Sequence, residues 1–551
     1  MSIMVRKITV FIVLLCVIYI IGFCNDTFDI DASQYASMSR EMLSSGDFLH
    51  VHDHGMEYLD KPPFLFWMNS LSMRIFGINN FGHGFASFLF SLTAVFSTFK
   101  FCRLFYSKQI SLLAAVILAT SQGFFVMNQD IRTDTILMSW VIFSIWQLAA
   151  WYQDNKGYHF LLACVGIAGG LMTKGPIALF VPVFAFGSHY FLQRNWKVFL
   201  RWEYLVGCAI ILLLLLPMCI GLYQQFDQHP EKLVNGKHEV SGLRFFFWTQ
   251  SFGRITGESD WNNHAGFFFL LQNMLWSFLP WILFFLIALG RNVRQIIGQK
   301  FKLLPGQEWI STGGFLLTYV SLGLSKYQLP HYIFVVFPLA AVVTANFLYQ
   351  LVTNPRYAKW EKALKLTHII IFSLLGSGLV FLMWYCFSQV AVAVVALALL
   401  LVFIFVAFYG KFRVPSLLVL CVFWITGANF FLNFSINPTL LTYQMGNTAG
   451  RWIHQNKVPA NAVFLYKYGH SWSLDFYAQA NIPSRDSLDQ IRTGDWVILH
   501  VKDLKDLDSA GRKYQVEYHN VDFHVSMLTG KFLNPSTREE VVAPYAIIRL
   551  L

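Results

Sequence analysis

The sequence predicts a helical protein with many membrane spans, followed by a small soluble domain that mixes helices and strands. The 551 residues are 56% hydrophobic and 17% aromatic but only 13% charged, about half the roughly 25% charged fraction of a soluble domain. Apolar runs of about 20 residues, the length that crosses a bilayer, recur up to residue 437 and then stop. This pattern excludes a soluble globular protein, a disordered chain and a disulfide scaffold.

About thirteen apolar runs predict transmembrane helices. The first follows Arg6-Lys7 and lacks a small-residue cleavage site, so we expect an uncleaved anchor. The runs lie near residues 8–24, 82–100, 108–127, 134–152, 158–171, 174–192, 204–223, 265–289, 307–323, 331–351, 366–387, 389–409 and 414–433.

The distribution of basic residues predicts the orientation. Lys and Arg concentrate in the loops that face the cytoplasm when the N-terminus is placed inside, and the opposite loops carry fewer although they are longer. The net charge of +11 is therefore explained by topology, and we expect no nucleic-acid partner. An odd number of spans places the C-terminal tail on the outer side.

Residues 438–551 predict one soluble α/β domain. Strand-like runs occur at 462–468, 496–501, 514–523 and 545–551, and helix-like runs at 445–457 and 486–492. We find no catalytic motif in this tail.

Polar residues gather at the outer ends of the predicted spans. Charged groups are costly inside a bilayer, so a cluster contributed by separate loops indicates a site at the interface with the membrane. Its members are Asp29, Asp31, Asp60, Lys61, Asp130, Arg132, Asp134, Lys174, Arg254, His264, Lys326 and His331.

The first outer loop, 25–81, is the richest in such residues. Asp31 leads into a helix with Tyr35, Met38 and Met42 on one face, a spacing typical of a helix that lies in the membrane plane. Asp31 alternatively caps that helix. Lys61 precedes two prolines and is expected at a helix N-terminus, where anions are favoured, or else forms an ordinary surface pair with Asp60.

The later loops contribute single short motifs, each weak alone. Asp134 alternatively caps the fourth span or pairs with Arg132. Loop 224–264 is long and polar. The motifs are Asp130 to Asp134, Thr173-Lys174-Gly175-Pro176, Arg254 to Gly257 with His264, and Ser325-Lys326 to Pro330-His331-Tyr332.

Taken in order, these motifs resemble the GT-C class of membrane glycosyltransferases, and most closely the bacterial branch related to aminoarabinose transferase and protein O-mannosyltransferase. The resemblance covers residues 1–437, and the tail also occupies the family position. It rests on Asp31…Tyr35-Ala36…Ser39-Arg40-Glu41-Met42, Asp60-Lys61-Pro62-Pro63, Arg132…Asp134, Leu171…Thr173-Lys174-Gly175-Pro176, Arg254…Gly257 and Ser325-Lys326…Leu329-Pro330-His331-Tyr332.

The resemblance implies a GT-C fold and an inverting transfer of a sugar from a polyprenyl phosphate to lipid A, another envelope glycolipid or a protein, in the bacterial inner membrane. Asp31 is then the catalytic base near the acceptor and Asp134 a second acidic residue of the site. Asp60 and His264 match a position for a divalent metal, Zn or Mg/Mn. Groups expected to bind the donor phosphate are Lys61, Arg254, Lys174, Lys326 and Tyr332.

Physical chemistry supports transfer from a lipid phosphate, a reaction that needs no nucleotide. Fixed cations favour the charge that develops on a departing lipid phosphate, and no phosphate-cradling glycine-rich loop is present. The alternative functions are a lipid-linked sugar transporter or flippase, which typically places polar groups near mid-membrane, and a non-catalytic scaffold whose tail binds a partner.

Overall fold

The structure is a computed structural model that describes residues 2–234, 236–250, 253, 263–410 and 415–551, with side chains from residue 11 onward. Residue 254, which carries the predicted phosphate-binding Arg254, lies outside the described residues.

Helices make up most of the described chain. Those of residues 1–200 are α1 (Ser2–Cys24), α2 (Asp31–Ser45), α3 (Phe64–Phe76), α4 (Asn80–Phe105), α5 (Lys108–Ala119), α6 (Gln122–Gln129), α7 (Thr133–Asp154), α8 (Gly157–Lys174) and α9 (Ile177–Leu192). They continue as α10 (Glu203–Leu222), α11 (Gly242–Arg244), α12 (Phe269–Ser277), α13 (Ile282–Gly298), α14 (Ile310–Gly323), α15 (Phe337–Thr353), α16 (Ala358–Phe381), α17 (Val390–Tyr409), α18 (Ser416–Phe431) and α19 (Asn437–Leu441).

Helix occupies most of every predicted span, so the predicted fold class is confirmed, but the number of long spans is smaller. Among the described residues, seven helices are long and apolar enough to cross a membrane, or eight when α5 and α6, bent by 50°, count as one span. Several predicted runs form shorter helices such as α9 and α14. The run 265–289 is interrupted between α12 and α13 at Pro280, which has no amide proton to donate to a helix.

Polar contacts join the first and last spans of the bundle. Gln122 and Asn429 exchange amide hydrogen bonds of 3.2 and 2.8 Å, and the Asn433 amide donates to the Ile18 carbonyl at 3.1 Å. Because buried amides need partners, these contacts hold α1, α6 and the end of α18 in one arrangement.

The C-terminal region contains the predicted α/β domain. Its five-stranded sheet has the order β4-β3-β5-β7-β6, in which β3 pairs parallel with β4 and β5, while β7 pairs antiparallel with β5 and β6. The elements are α20 (Met445–Gln455), β3 (Val463–Tyr466), α21 (Trp472–Ala478), β4 (Ser484–Arg485), β5 (Trp496–His500), α22 (Leu504–Ser509), β6 (Tyr514–Asp522), α23 (Gly530–Leu533) and β7 (Ala543–Leu550). Two further strands, β1 (His52–Asp53) and β2 (Met56–Glu57), form a hairpin in the first loop.

Helix α2 is enclosed by protein, and the expectation that it lies in the membrane plane is wrong. Its Tyr35, Met38 and Met42 are at most 4% exposed and pack against side chains of α3 and α7. On another face, Ala36 packs with Met73 and with Phe476 of the C-terminal domain. The amphipathic spacing identified a buried face correctly, but helices α3 and α7, rather than lipid, cover it.

Candidate active site

Arg132 joins two carboxylates from separate loops. It lies just before α7, where its Nη1 donates to Asp31 at the start of α2 and its Nε donates to Asp130 at 2.7 Å. Burial alone would lower the pKa of the Arg132 guanidinium, but Asp130 and Asp31 raise it. The guanidinium therefore fixes the first outer loop against the α6–α7 turn as a permanent cation.

A second ion pair lies beside the first. The Lys174 ammonium at the end of α8 contacts Asp134 at 2.6 Å, where the carboxylate is 2% exposed, and lies 4.4 Å from the centre of the Tyr332 ring. The pairing arises because α7 and α8 are antiparallel neighbours, so the start of one meets the end of the other.

His331 connects the two pairs. Its Nδ1 lies 3.2 Å from Arg132 Nη1, and its Nε2 lies 3.6 Å from the Asp134 carboxylate. A guanidinium can only donate, so Nδ1 accepts, and the proton of the neutral ring sits on Nε2, facing the carboxylate. His331 thus bridges the Asp31–Arg132 and Asp134–Lys174 pairs.

Lys61 and Asp60 lie at the same site. Lys61 pairs with the adjacent Asp60 carboxylate, and Gln250 of the fourth outer loop donates to that carboxylate at 3.3 Å. Lys61 is 18% exposed and Asp60 30% exposed. The cation is therefore reachable from the solvent side.

Tyr35, one turn after the start of α2, lies near the charged residues of both ion pairs. Burial raises the pKa of Tyr35 well above its ordinary value, and the nearby carboxylates of Asp31, Asp60 and Asp134 raise it further. Three carboxylates from separate motifs therefore surround one phenol. This is the shared location that the sequence predicted for Asp31, Lys61 and Asp134.

The contacts also test the alternative interpretations of these residues as helix caps or local ion pairs. Helix α2 begins at Asp31 with Ile30 at the cap position and no side-chain cap, so the interpretation of Asp31 as the cap of this helix is wrong. Gln34 instead donates to Asp53 at 2.7 Å. Asp134 pairs with Lys174 rather than with Arg132. The adjacent Asp60–Lys61 pair does form.

Three other predicted site residues are not among the ion pairs described above. Lys326 is exposed, and its carbonyl accepts from the Asn263 amide at 3.4 Å. His264 is exposed and has a left-handed backbone with φ 52°. Tyr332 is half-buried under Lys174. Their functional roles, and the role of Arg254, stay predictions.

Arg132 and His331 were noticed in the sequence as polar residues of outer loops but were given no role. Their positions at the centre of the cluster depend on which loops meet in space, and spacing within one loop does not reveal that. The signal available in the sequence was the presence of each beside an expected site residue, two positions before Asp134 and directly before Tyr332.

The arrangement offers fixed cations and a carboxylate, that of Asp31, which is one-third exposed at one end of a helical bundle. Such a site can hold an anionic headgroup while a carboxylate orients or deprotonates a second substrate.

Comparisons with known proteins show what this chain is similar to. The family described as dolichyl-phosphate-mannose-protein mannosyltransferase matches residues 60–220. The chain is 30% identical over 336 residues to an undecaprenyl phosphate-alpha-4-amino-4-deoxy-L-arabinose arabinosyl transferase of Enterobacter sp. (strain 638), covering 60% of this chain and 57% of that protein. A protein of the same name from Edwardsiella ictaluri is 28% identical over 327 residues, covering 58% of this chain and 55% of that protein. The match thus spans little more than half the length of these relatives.

Solved structures match over nearly the whole chain. ArnT from Cupriavidus metallidurans bound to undecaprenyl phosphate has a TM-score of 0.72 and 17% identity, covering 98% of each chain. The apo form of that protein has a TM-score of 0.71 and 16% identity, covering 93% of this chain and 96% of that chain. The resemblance that the motifs indicated is confirmed: this chain is similar in sequence to aminoarabinose transferases over part of its length and has the GT-C fold.

Proposed function

We propose that this protein is an inverting glycosyltransferase that moves a sugar from undecaprenyl phosphate, or a similar polyprenyl phosphate, to an acceptor on lipid A or another envelope glycolipid. The observation that carries the proposal is the joined set of Asp31, Arg132, His331, Asp134 and Lys174 at one end of a GT-C fold. The relatives' names supply the substrate class.

In this reaction an acceptor oxygen attacks the anomeric carbon, and the bond from that carbon to the donor phosphate oxygen breaks. The electron pair leaves with the phosphate, so a cation near that oxygen lowers the barrier. Lys61 is suited to this role, because its partly exposed pair with Asp60 is weak enough to be exchanged for a phosphate.

Lys174 differs from Lys61, although both are candidates for the donor phosphate. Its contact with the buried Asp134 closes one side of the site. Removing Lys174 from that carboxylate would leave a buried charge without its partner, which is costly. We therefore assign Lys174 chiefly to positioning Asp134.

Asp31 faces the acceptor in this proposal. Its carboxylate already accepts from Arg132, so a hydroxyl acceptor would share it with the guanidinium. A phosphate acceptor, such as the phosphate of lipid A, is ionised at neutral pH and requires no proton removal. In that case Asp31 and Arg132 orient the acceptor. A protein hydroxyl acceptor would instead require Asp31 as a base.

A resident metal at Asp60 and His264 is a separate prediction, and no step above depends on it. The Asp60 carboxylate is engaged by Lys61 and Gln250. In the part of the chain that the structure describes, Asp60 and His264 do not belong to a group of three ligand side chains close enough to hold one ion, whereas protein zinc sites generally use three or four.

The proposed location is the bacterial inner membrane, with the N-terminus in the cytoplasm and the C-terminal domain in the periplasm. The excess of basic residues in the loops opposite the site supports this orientation. The site would then face the periplasm, where a lipid carrier rather than a nucleotide sugar is the available donor.

The test is the Asp31→Asn variant, purified and supplied with undecaprenyl-phosphate aminoarabinose and lipid A. We expect transfer, measured by mass spectrometry of lipid A, to fall by about 10²-fold, because the acceptor loses a group that orients it. Asp47→Asn is the matched control, since Asp47 lies in the same loop but pairs with His50. Its transfer rate should equal that of the unaltered protein.

Two outcomes would contradict the proposal. Full transfer by Asp31→Asn would show that Asp31 has no role in the reaction. If the unaltered protein in liposomes moves labelled donor across the bilayer without forming any covalent product, the protein is a flippase.

A further inference from the structure

A second cluster of ligand-type side chains lies away from the candidate active site, where the first outer loop meets the C-terminal domain. His54 occupies the turn of the β1–β2 hairpin, while His470 and Asp475 come from the segment that contains α21. Their ligand atoms all lie within 4.8 Å of one another. Among the described residues, this is the group of three His, Cys, Asp or Glu side chains that is compact enough for a metal ion.

The distances suit a small divalent cation. His54 Nδ1 lies 2.9 Å from Asp475 Oδ2, and His470 Nε2 lies 3.6 Å from the same oxygen. Two ligand atoms in a tetrahedral zinc site are about 3.3 Å apart, because each lies about 2.0–2.1 Å from the metal. The observed pair of distances brackets this value.

The surrounding groups hold the ligands in place. The other oxygen of Asp475 accepts the Ile482 backbone amide at 2.8 Å, and Asp475 is 2% exposed. The two imidazole rings meet edge to face with their centres 4.3 Å apart. Fixed carboxylate and imidazole orientations of this kind are what a metal ligand requires of its neighbours.

The local charge also favours a cation. Asp53 and Glu41 both act on the His54 and His470 rings together with Asp475. Glu41 accepts the Gly55 amide through one oxygen at 2.7 Å, while its other oxygen is buried without a hydrogen-bond partner. Arg40 of α2 is a cation that acts on Asp475 and Glu41. In the described part of the chain, negative charge therefore exceeds positive charge among these groups.

We propose that His54, His470 and Asp475 bind a zinc ion that fastens the first outer loop to the C-terminal domain. The three side chains leave one tetrahedral position for water. Zinc requires both histidines in the neutral form, so binding releases any proton held between His54 and Asp475. The zinc site lies apart from the candidate active site and does not depend on the proposed sugar transfer.

The consequence reaches the candidate active site through α2. Next to His54, Asp53 accepts from Trp472 at 2.8 Å and from Gln34 at 2.7 Å, and Gln34 lies one turn after Asp31. A zinc ion at the junction would hold the β1–β2 hairpin and α21 together around α2.

The experiment uses the full-length protein in detergent, freed of metal with a chelator and titrated with zinc chloride by calorimetry. We expect one saturable site and a higher melting temperature with zinc. His54→Ala and His470→Ala should each weaken binding by about tenfold or more and abolish the thermal shift. His454→Ala, on an exposed face of α20, is the matched control and should bind as the unaltered protein does.

Cobalt substitution gives a second readout that does not depend on stability. Co²⁺ should give visible absorption bands of tetrahedral coordination in the unaltered protein and weaker bands in His470→Ala. Absence of saturable zinc binding, or binding unchanged in both histidine variants, would overturn the proposal. Loss of zinc in Asp60→Asn but not in His470→Ala would assign the ion to the predicted position at Asp60 instead.

Discussion

The ion pairs at the two ends of the α7–α8 helix pair differ in sequence separation and in burial. At the site end, ion pairs join residues far apart in sequence: Asp31 and Arg132 are separated by 101 positions, and Asp134 and Lys174 by 40. At the other end, about 30 Å away along α7, Lys156 pairs with Asp154 just two positions before it. Lys156 is 60% exposed there, whereas Asp134 is 2% exposed.

The difference separates ion pairs that help to specify the fold from ion pairs that contribute little to it. A pair between neighbours in sequence forms wherever the turn forms and gains little in solvent. A buried pair between distant loops can form in one arrangement only, and breaking it leaves an unpaired charge. Long-range pairing at one end therefore defines the site, whereas the local pair at the other end does little to fix the packing of the helices.

Lys174→Met should give the largest effect on stability. The substitution leaves Asp134 buried without its cation, so the free energy of unfolding should fall by about 3–5 kcal/mol. The measurement is unfolding in mixed micelles followed by tryptophan fluorescence. The double variant Asp134→Leu with Lys174→Met should recover most of the loss. A single variant as stable as the unaltered protein would show that the pair does not define the site.

Asp29 should make the free energy of unfolding depend on pH, with a smaller effect than that of Lys174→Met. Burial raises the pKa of Asp29 to about 6 in the folded protein, against the hydrogen bonds from Ser33 and Ser473 that lower it. The unfolded carboxyl ionises near pH 4, so the folded state holds more protons between about pH 4 and 6. Stability from this residue is therefore lost as the pH rises through that window, by roughly 1–2 kcal/mol after allowance for solvent.

The check is the difference in unfolding free energy between the unaltered protein and Asp29→Asn, measured from pH 4 to 7. The difference should change across the window and become constant above it. A difference that is the same at every pH would mean that folding does not raise the pKa of Asp29.

Lys156→Gln should have the smallest effect. Lys156 and Asp154 are exposed at the opposite end of the bundle, so the melting temperature should not change measurably. A loss of stability comparable to that of Lys174→Met would remove the distinction between the two ends.

The helical runs, the C-terminal strands and the meeting of Asp31, Lys61 and Asp134 were predictable from the sequence. Long apolar runs report helices directly, and topology alone brings alternate loops to one side. The sequence did not predict that α2 would be covered by the C-terminal domain, because an apolar face looks the same whether lipid or protein covers it. Nor did it predict the pairing of Lys174 with Asp134, which depends on the packing of α8 against α7.

The first outer loop is held by the last part of the chain. The Asp29 amide donates to Gln444 at 3.1 Å, and Ser473 donates to the Asp29 carboxylate at 3.2 Å. During synthesis, the loop that carries Asp31 therefore leaves the ribosome long before its partners exist. The site is completed only when the C-terminal domain has folded, so a partly made chain carries the chemical groups of the site without their working arrangement.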